Sequence, residues 1–314
     1  MKVFLCEQLH PEALALLQSR AEVVGERARL CECDALITRN IPVSAQLMQS
    51  MPHLRAVAIH GTGCDAVDLA YCEAAGIRAV YTPHYNANAV AELNAALALM
   101  LCRGIHTADR ALQSGAPMEN TPLALMGSEL RGKTLGLVGT GAIATRTAEI
   151  MKHGFGMDVL GWSPHFTPER AQTSIIARAE SLDALLAAAD VLVICCPRNS
   201  ETENLIDARA LSCMKPTAYL INTARGGIVN EQALLAALQE GALAGAACDV
   251  FLSEPPTKDN PLTGLANFIA TPHLGGNTED AMRTIGLKLV QQLFAALDGE
   301  AVQHDAVKDW RQKQ

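Results

Sequence analysis

Aromatic side chains are scarce in this chain: 6 Phe, 4 Tyr and 2 Trp make up 4% of 314 residues. Hydrophobic residues still reach 49%, so the core has to be built from Ala, Leu, Val and Ile, the balance of an α/β globule and not of a disordered or fibrous chain. Basic charge is short as well, with 25 Lys and Arg against 33 Asp and Glu, a net charge of -8 and a pI near 5.6. That deficit argues against nucleic acid or an anionic membrane as partner, since both call for clustered Lys and Arg. Small-molecule partners are expected instead. Uncharged apolar runs of about 18 residues, long enough to cross a bilayer, are also missing. The opening Met1-Lys2-Val3-Phe4-Leu5-Cys6-Glu7 meets an acid too early for a secretory apolar segment, and a cytoplasmic location is expected. The 10 cysteines lack paired spacing. Cys31-Glu32-Cys33 is the only local cluster, and two ligands without a second pair do not make a zinc site, so reduced thiols and no metal are expected.

What is present is alternation. The runs Val3–Leu5, Asp34–Ile37, Leu54–Ile59 and Ile77–Val80 read as strands separated by helical patterns, which predicts a parallel, doubly wound sheet. From about Asn88 to Ala108, Val90, Leu93, Leu97, Met100 and Leu101 recur at helical spacing and predict one long helix with a buried face, bridging two domains. A polar stretch with Pro and Gly runs from Gln113 to Gly132 and marks a boundary. A second series of strands follows at Leu135–Val138, Asp158–Trp162, Val191–Ile194, Ala218–Ile221, Ala246–Val250 and Phe268–Ala270, the strand count of a dinucleotide-binding sheet. A last helix, about Glu279 to Leu297, returns the chain to the first domain. The fold class is thus α/β with two doubly wound parallel-sheet domains, one of them a Rossmann domain, and a cleft between them; 314 residues exceed what one core usually supports. The expected division is residues 1–102 plus 286–314 as a discontinuous substrate and catalytic domain, and 103–285 as the NAD(P)-binding domain.

Two glycine turns compete for the cofactor. Gly139-Thr140-Gly141-Ala142-Ile143-Ala144 follows a strand and opens a helix, the context a pyrophosphate needs: Gly139 makes the bend, Gly141 lets backbone amides approach, and Ala144 keeps the helix close to the sheet. Gly61-Thr62-Gly63-Cys64-Asp65-Ala66 has the same spacing, but Asp65 and Asp68 are expected in the first helical turn, where they repel a pyrophosphate. The amides of Thr62 and Gly63 remain suited to a smaller anion such as a carboxylate. About twenty positions after the glycines, where an acid usually binds the adenine ribose, stands Ser163. Without that acid a 2′-phosphate is not repelled, and His165, Arg170 or Arg198 are in reach of one. Both NAD and NADP therefore stay open.

Three segments follow strands of the second series: Asn222 to Gly227, Asp249 to Pro256 and Thr271 to Gly276. Ligands of open α/β sheets bind beyond the carboxyl ends of strands, so Arg225, Glu254 and His273 are expected to converge. A guanidinium grips a carboxylate and polarises a carbonyl, an imidazole near neutral pKa delivers a proton, and a carboxylate beside it raises that pKa and fixes the ring. Taken singly, an Arg after a strand is more often a surface ion pair, and a His before Gly-Gly a turn cap. It is their joint placement that points to hydride transfer on a 2-keto acid.

With these segments in view, the chain resembles the D-isomer-specific 2-hydroxyacid dehydrogenases over nearly its whole length. The resemblance rests on Gly61 to Leu69, Ala89-Val90-Ala91-Glu92, the Gly139 turn, Asn222 to Gly227, Asp249 to Pro255 and Thr271 to Gly276. It implies that Arg225 binds substrate, His273 is the acid/base and Glu254 its partner. It implies carboxylate-binding amides at Thr62 and Gly63, and cofactor contacts from Gly139, Gly141, Ala142, Ile143, Ser163, His165, Cys196, Pro197, Thr202, Thr223, Ala224, Asp249 and Gly275. It also implies a homodimer. The chain departs from the family in four places: Ala144 replaces a third glycine, Ser163 a common aspartate, and Cys195 a frequent histidine, while Trp162-Ser163 resembles NADP-using glyoxylate reductases that tend to carry arginine where Pro164 stands. A competing class within the family is a dinucleotide-sensing, corepressor-like binding protein without turnover, which the lack of long tails or a basic patch disfavours. Formate or phosphite oxidation is a third, with Glu254 set against formate because formate enzymes of the family carry glutamine there. Tyr85, His84 and Asn94 are candidates to line the substrate pocket, and helix packing accounts for Asn94 equally well.

Overall fold

The computed structural model describes residues 1–115 and 126–311. Half of the boundary stretch expected from Gln113 to Gly132, residues 116–125, lies outside them. The chain divides into two units, Met1–Asn86 with Gly276–Gln314, and Ala87–Gly275.

The first unit carries five parallel strands in the order β2-β1-β3-β4-β5: β1 Lys2–Leu5, β2 Glu22–Val24, β3 Ala35–Thr38, β4 Ala56–Ile59 and β5 Arg78–Tyr81. Every residue of β3 and β4 is buried, as a parallel sheet covered on both faces requires. Alternation sorts them: Leu36, Val57 and Ile59 enter one apolar cluster, and Ala35, Ile37, Ala56 and Ala58 the other. Helix Glu279–Leu297 covers the second face with Leu289, Val290, Leu293 and Phe294. A β-carbon on Gly286 would stand 2.7 Å from that of Ala13, so helix Pro11–Gln18 can lie close only because position 286 has no side chain.

Seven parallel strands form the second unit in the order β12-β11-β10-β9-β6-β7-β8: β6 Thr134–Val138, β7 Asp158–Trp162, β8 Ala177–Arg178, β9 Val191–Ile194, β10 Tyr219–Asn222, β11 Gly245–Cys248 and β12 Phe268–Ala270. The first strand, β6, lies between β7 and β9. Strand order reverses there, and that reversal is where a doubly wound sheet opens to a ligand. Leu135, Leu137, Val191, Val193 and Ile221 point into one cluster; Val138, Leu192, Ile194 and Leu220 point into the other.

Three sequence expectations need correction. The helix predicted from Asn88 to Ala108 is two, Ala87–Cys102 and Ile105–Gln113, bent by 66° at a break where Gly104 adopts a left-handed φ of 61°. The unit boundaries fall at 86/87 and 275/276, not at 102/103 and 285/286. Helix Ala87–Cys102 places Ala95, Leu97, Ala98 and Leu101 in the same cluster as Leu135 and Val193, and helix Glu279–Leu297 packs as one piece on the first sheet. Strands β2 and β8 were not anticipated. Among the described residues, no single helix is long and apolar enough to cross a membrane.

Candidate functional site

The turn after β6 is shaped for a large anion. Gly139 has φ 100°, and a β-carbon on it would lie 2.8 Å from the backbone of Cys195 and Cys196, so conformation and space both demand glycine. Gly141 caps helix Ala142–Phe155 without any side-chain hydrogen bond, and the first turn holds no acid. The leading N–H groups of that helix are therefore left for an external acceptor, with the helix dipole behind them. Nothing stands within 4 Å of where a Gly141 β-carbon would be, so the approach is open. Ala144, fully buried, lets the helix settle on the sheet. These residues fit a dinucleotide pyrophosphate.

The Gly61 turn is built differently. Gly61, at φ 134°, donates from its N–H to Thr82 Oγ1 at 3.1 Å, and Thr62 Oγ1 donates to Asn86 Oδ1 at 3.0 Å. The next helix, Leu69–Ala74, starts only after Asp68, whose carboxylate accepts from Tyr71 N at 2.9 Å. Asp68 is the cap and Asp65 lies further ahead, so neither stands in the first turn of that helix, a correction to the sequence reading. The turn fails as a pyrophosphate site because no helix begins on it.

At the end of β7, Ser163 Oγ lies 3.4 Å from Thr140 Oγ1. The carbonyl of Ser163 accepts from Phe166 N at 3.1 Å and closes a turn. Arg170 donates to the His165 carbonyl at 3.1 Å and Arg178 to that of Phe166 at 2.7 Å. Arg198 is engaged elsewhere, 2.7 Å from Glu203. Beyond β9, Thr202 Oγ1 donates to the Pro197 carbonyl at 2.7 Å, stitching the loop that follows Cys196. Burial pushes the Cys196 thiol up to about 11, and the Cys195 thiol further still, so neither is a thiolate at neutral pH. Cys31 is exposed and Cys33 buried, and no group of three His, Cys, Asp or Glu among the described residues is arranged to hold a metal ion.

The three segments expected to carry chemistry do meet. Asn222, buried at the end of β10, accepts from Ala224 N at 3.1 Å and donates to the Arg225 carbonyl at 3.0 Å, fixing the turn from inside. The Arg225 guanidinium donates from Nη1 to the Ala224 carbonyl at 2.7 Å. A β-carbon on Gly226 would fall 2.0 Å from the Phe251 carbonyl oxygen, so this turn lies directly against the backbone leading to Glu254. Glu254 Oε1 accepts from Phe251 N at 3.0 Å, and Oε2 sits 2.7 Å from His273 Nδ1. Burial raises the Glu254 pKa, but the hydrogen bonds from His273 and Phe251 and the charges of His273 and Arg225 outweigh it, and the carboxyl stays below the usual range. An ionised Glu254 places the proton on His273 Nδ1 and leaves Nε2 to exchange one.

His273 is held at φ 58°, a strained setting for a residue with a β-carbon. Asp249 accounts for it. This carboxylate, fully buried, accepts from Thr271 Oγ1 at 2.6 Å, Leu274 N at 2.6 Å and Gly275 N at 2.7 Å, while its own carbonyl accepts from His273 N at 2.9 Å. Asp249 therefore organises the turn that presents His273, a duty its place in the sequence did not reveal. Asn94 is also fully buried: it donates to Thr147 Oγ1 at 3.1 Å and accepts from Thr223 Oγ1 at 2.8 Å, so of its two sequence readings the packing one holds. A lone amide on an apolar helix face was the available signal. His84, in the first unit, is exposed at φ 73°.

A doubly wound sheet with an uncapped glycine turn at its switch point, followed by an Arg, Glu and His set on successive strand ends, defines a nicotinamide-dinucleotide-binding protein. Residues 95–275 match the family described as D-isomer specific 2-hydroxyacid dehydrogenase, NAD binding domain. The D-3-phosphoglycerate dehydrogenase of Methanocaldococcus jannaschii is 32% identical over 313 residues, 97% of this chain and 59% of that protein. The (S)-sulfolactate dehydrogenase of Chromohalobacter salexigens is 40% identical over 283 residues, 88% of this chain and 90% of that one. The crystal structure of D-lactate dehydrogenase from Aquifex aeolicus, complexed with NAD and lactic acid, superposes with a TM-score of 0.85 at 26% identity, covering 98% of this chain and 99% of that one. This chain belongs to the D-isomer-specific 2-hydroxyacid dehydrogenase family. It spans less than two thirds of the length of the curated phosphoglycerate dehydrogenases it matches, 59% of the one above.

Proposed function

We propose that this chain interconverts small 2-keto acids and D-2-hydroxy acids with NAD(P)(H). The observation that carries this reading is the 2.7 Å pairing of His273 with an ionised Glu254 beside the Arg225 turn, in the unit that also carries the Gly139 turn. Bound reduced nicotinamide supplies the hydride. Arg225 holds the substrate carboxylate and polarises its carbonyl, the amides of Thr62 and Gly63 bind the carboxylate, and His273 Nε2 delivers the proton to the new alkoxide. Glu254 keeps the ring in that tautomer and stabilises it once charged. Asp249 acts in this scheme by holding the His273 turn. The test is oxidation of NADH or NADPH in the presence of glyoxylate, hydroxypyruvate, pyruvate or phenylpyruvate. Dinucleotide binding without turnover on any of them replaces catalysis with a sensing role.

For the cofactor we propose a preference for NADPH. The groups offered to the ribose end in this reading are the hydroxyls of Ser163 and Thr140, the exposed His165 and the Arg170 guanidinium bonded to its carbonyl, with no carboxylate from residue 163 to 167. Such a set tolerates a 2′-phosphate that an acid at 163 repels. Ser163→Asp is expected to weaken NADPH by roughly tenfold or more relative to NADH in a fluorescence titration. A homodimer is proposed on Ile105 and Leu112, which stand seven residues apart on one helix and are 50% and 66% exposed. A cytoplasmic location is proposed on cysteine usage, ten cysteines without paired spacing in the sequence.

A further inference from the structure

Helix Ala87–Cys102 carries one polar residue on its buried face, Asn94, among Ala, Val, Leu and Cys. Alanine there would favour the helix more and would not take an amide out of water. The amide is nonetheless fully used. Nδ2 donates to Thr147 at 3.1 Å and Oδ1 accepts from Thr223 at 2.8 Å, and the three side chains belong to residues only 0, 0 and 7% exposed. Thr147 lies in the second turn of helix Ala142–Phe155, the helix that opens on the pyrophosphate turn. Thr223 is the first residue beyond β10 and stands two before Arg225. One turn earlier on the same helix face is Val90. A β-carbon on Gly275 would come within 3.3 Å of Val90, so this face also touches the segment leaving His273.

One helix thus contacts the cofactor helix, the Arg225 turn and the end of the His273 turn, and among the described residues its side-chain amide hydrogen bonds to other segments go to the first two. Asn222 fixes the inside of the Arg225 turn from the end of β10, and neither of these bonds ties the turn to the cofactor helix. Apolar packing tolerates sliding, whereas a buried chain of donors and acceptors of fixed length permits one placement. We infer that Asn94 is a positioning residue: through Thr147 and Thr223 it sets Arg225 relative to the bound dinucleotide. The inference rests on the assignment of Arg225 to substrate carboxylate and carbonyl made above.

Misplacing a substrate clamp by about 1 Å can cost roughly a hundredfold in rate. Asn94→Ala in the full chain is therefore expected to lower kcat/KM for the 2-keto acid by about 10- to 100-fold. The dissociation constant of the reduced dinucleotide should stay within about threefold, because the Gly139 turn is untouched. With 4-deuterated cofactor the isotope effect on kcat should rise, since hydride transfer becomes the slow step. Thr147→Val keeps the side-chain volume and removes only the hydroxyl, so a loss of about fivefold is expected, while Thr147→Ser, which keeps the hydroxyl, should stay within about twofold of the parent. This pair decides the matter if Asn94→Ala does not fold. An unchanged kcat/KM and isotope effect in Asn94→Ala, or a Thr147→Ser as slow as Thr147→Val, overturns the inference. A parent chain that binds the reduced dinucleotide but oxidises it in the presence of none of the 2-keto acids overturns the functional reading instead, and the two failures cannot be confused.

Discussion

Gly61-Thr62-Gly63 and Gly139-Thr140-Gly141 both follow a buried parallel strand, and both open on a glycine whose φ, 134° and 100°, few other residues adopt. After the third residue they part. The second turn runs straight into a 14-residue helix whose first amides have no side-chain cap, while the first continues through Cys64, Asp65, Ala66 and Val67 before a 6-residue helix capped by Asp68. Their crowding differs too: a β-carbon on Gly139 would meet the backbone of Cys195, and one on Gly61 would have nothing within 4 Å. Glycine spacing alone therefore does not make a pyrophosphate site. What makes one is the start of a helix on the turn, with its dipole and free amides, and a neighbouring strand end close enough to forbid a side chain.

The largest expected effect separates the turns directly. Gly139→Ala combines a disfavoured φ with a backbone clash and should weaken dinucleotide binding by about 4 kcal/mol, roughly a thousandfold. Gly61→Ala should leave that dissociation constant within about threefold, and equal losses from both in a fluorescence titration erase the distinction.

His60, immediately before the first turn, is 5% exposed and its Nε2 has no hydrogen-bond partner among the described residues. Burial, reinforced by the charge of Arg39, brings its pKa down to about 4. An unfolded chain takes up this proton near pH 6.5, so the resulting stability is complete above that pH and is lost as the pH falls toward about 4. The loss amounts to roughly 3 kcal/mol. Urea unfolding from pH 7 to 4.5 should show a shallower pH dependence in His60→Leu, and identical slopes speak against a neutral buried ring.

Smaller changes sharpen the electrostatic half of the comparison. Ala142→Asp gives the second turn a first-turn acid and is expected to cost about tenfold in dinucleotide affinity, most at low ionic strength. Asp68→Ala removes a cap worth about 1 kcal/mol of stability and should not alter dinucleotide binding.

Much of this was legible because the deciding residues sit in strong local patterns. Val191–Ile194 and Ala56–Ile59 are wholly apolar runs that only a doubly covered parallel sheet accommodates. Arg225, Glu254 and His273 could be grouped because each follows a strand. Strands β2 and β8, of three and two residues, carry too short a pattern to register. The break at Gly104 was hidden by apolar residues that keep helical spacing across it. Asp65 was misplaced because the cap at Asp68 outweighs any earlier start. The duties of Asp249 and Asn94 depend on partners more than twenty residues away, which no local pattern records.

The central claim is most directly tested by chiral analysis of the product formed from a 2-keto acid by the parent chain and by His273→Gln, with dinucleotide affinity measured alongside. The expected result is D-2-hydroxy acid from the parent and a rate lower by about 10²- to 10⁴-fold in the variant, with dinucleotide binding retained. An L-2-hydroxy acid, or full turnover without the imidazole, contradicts it.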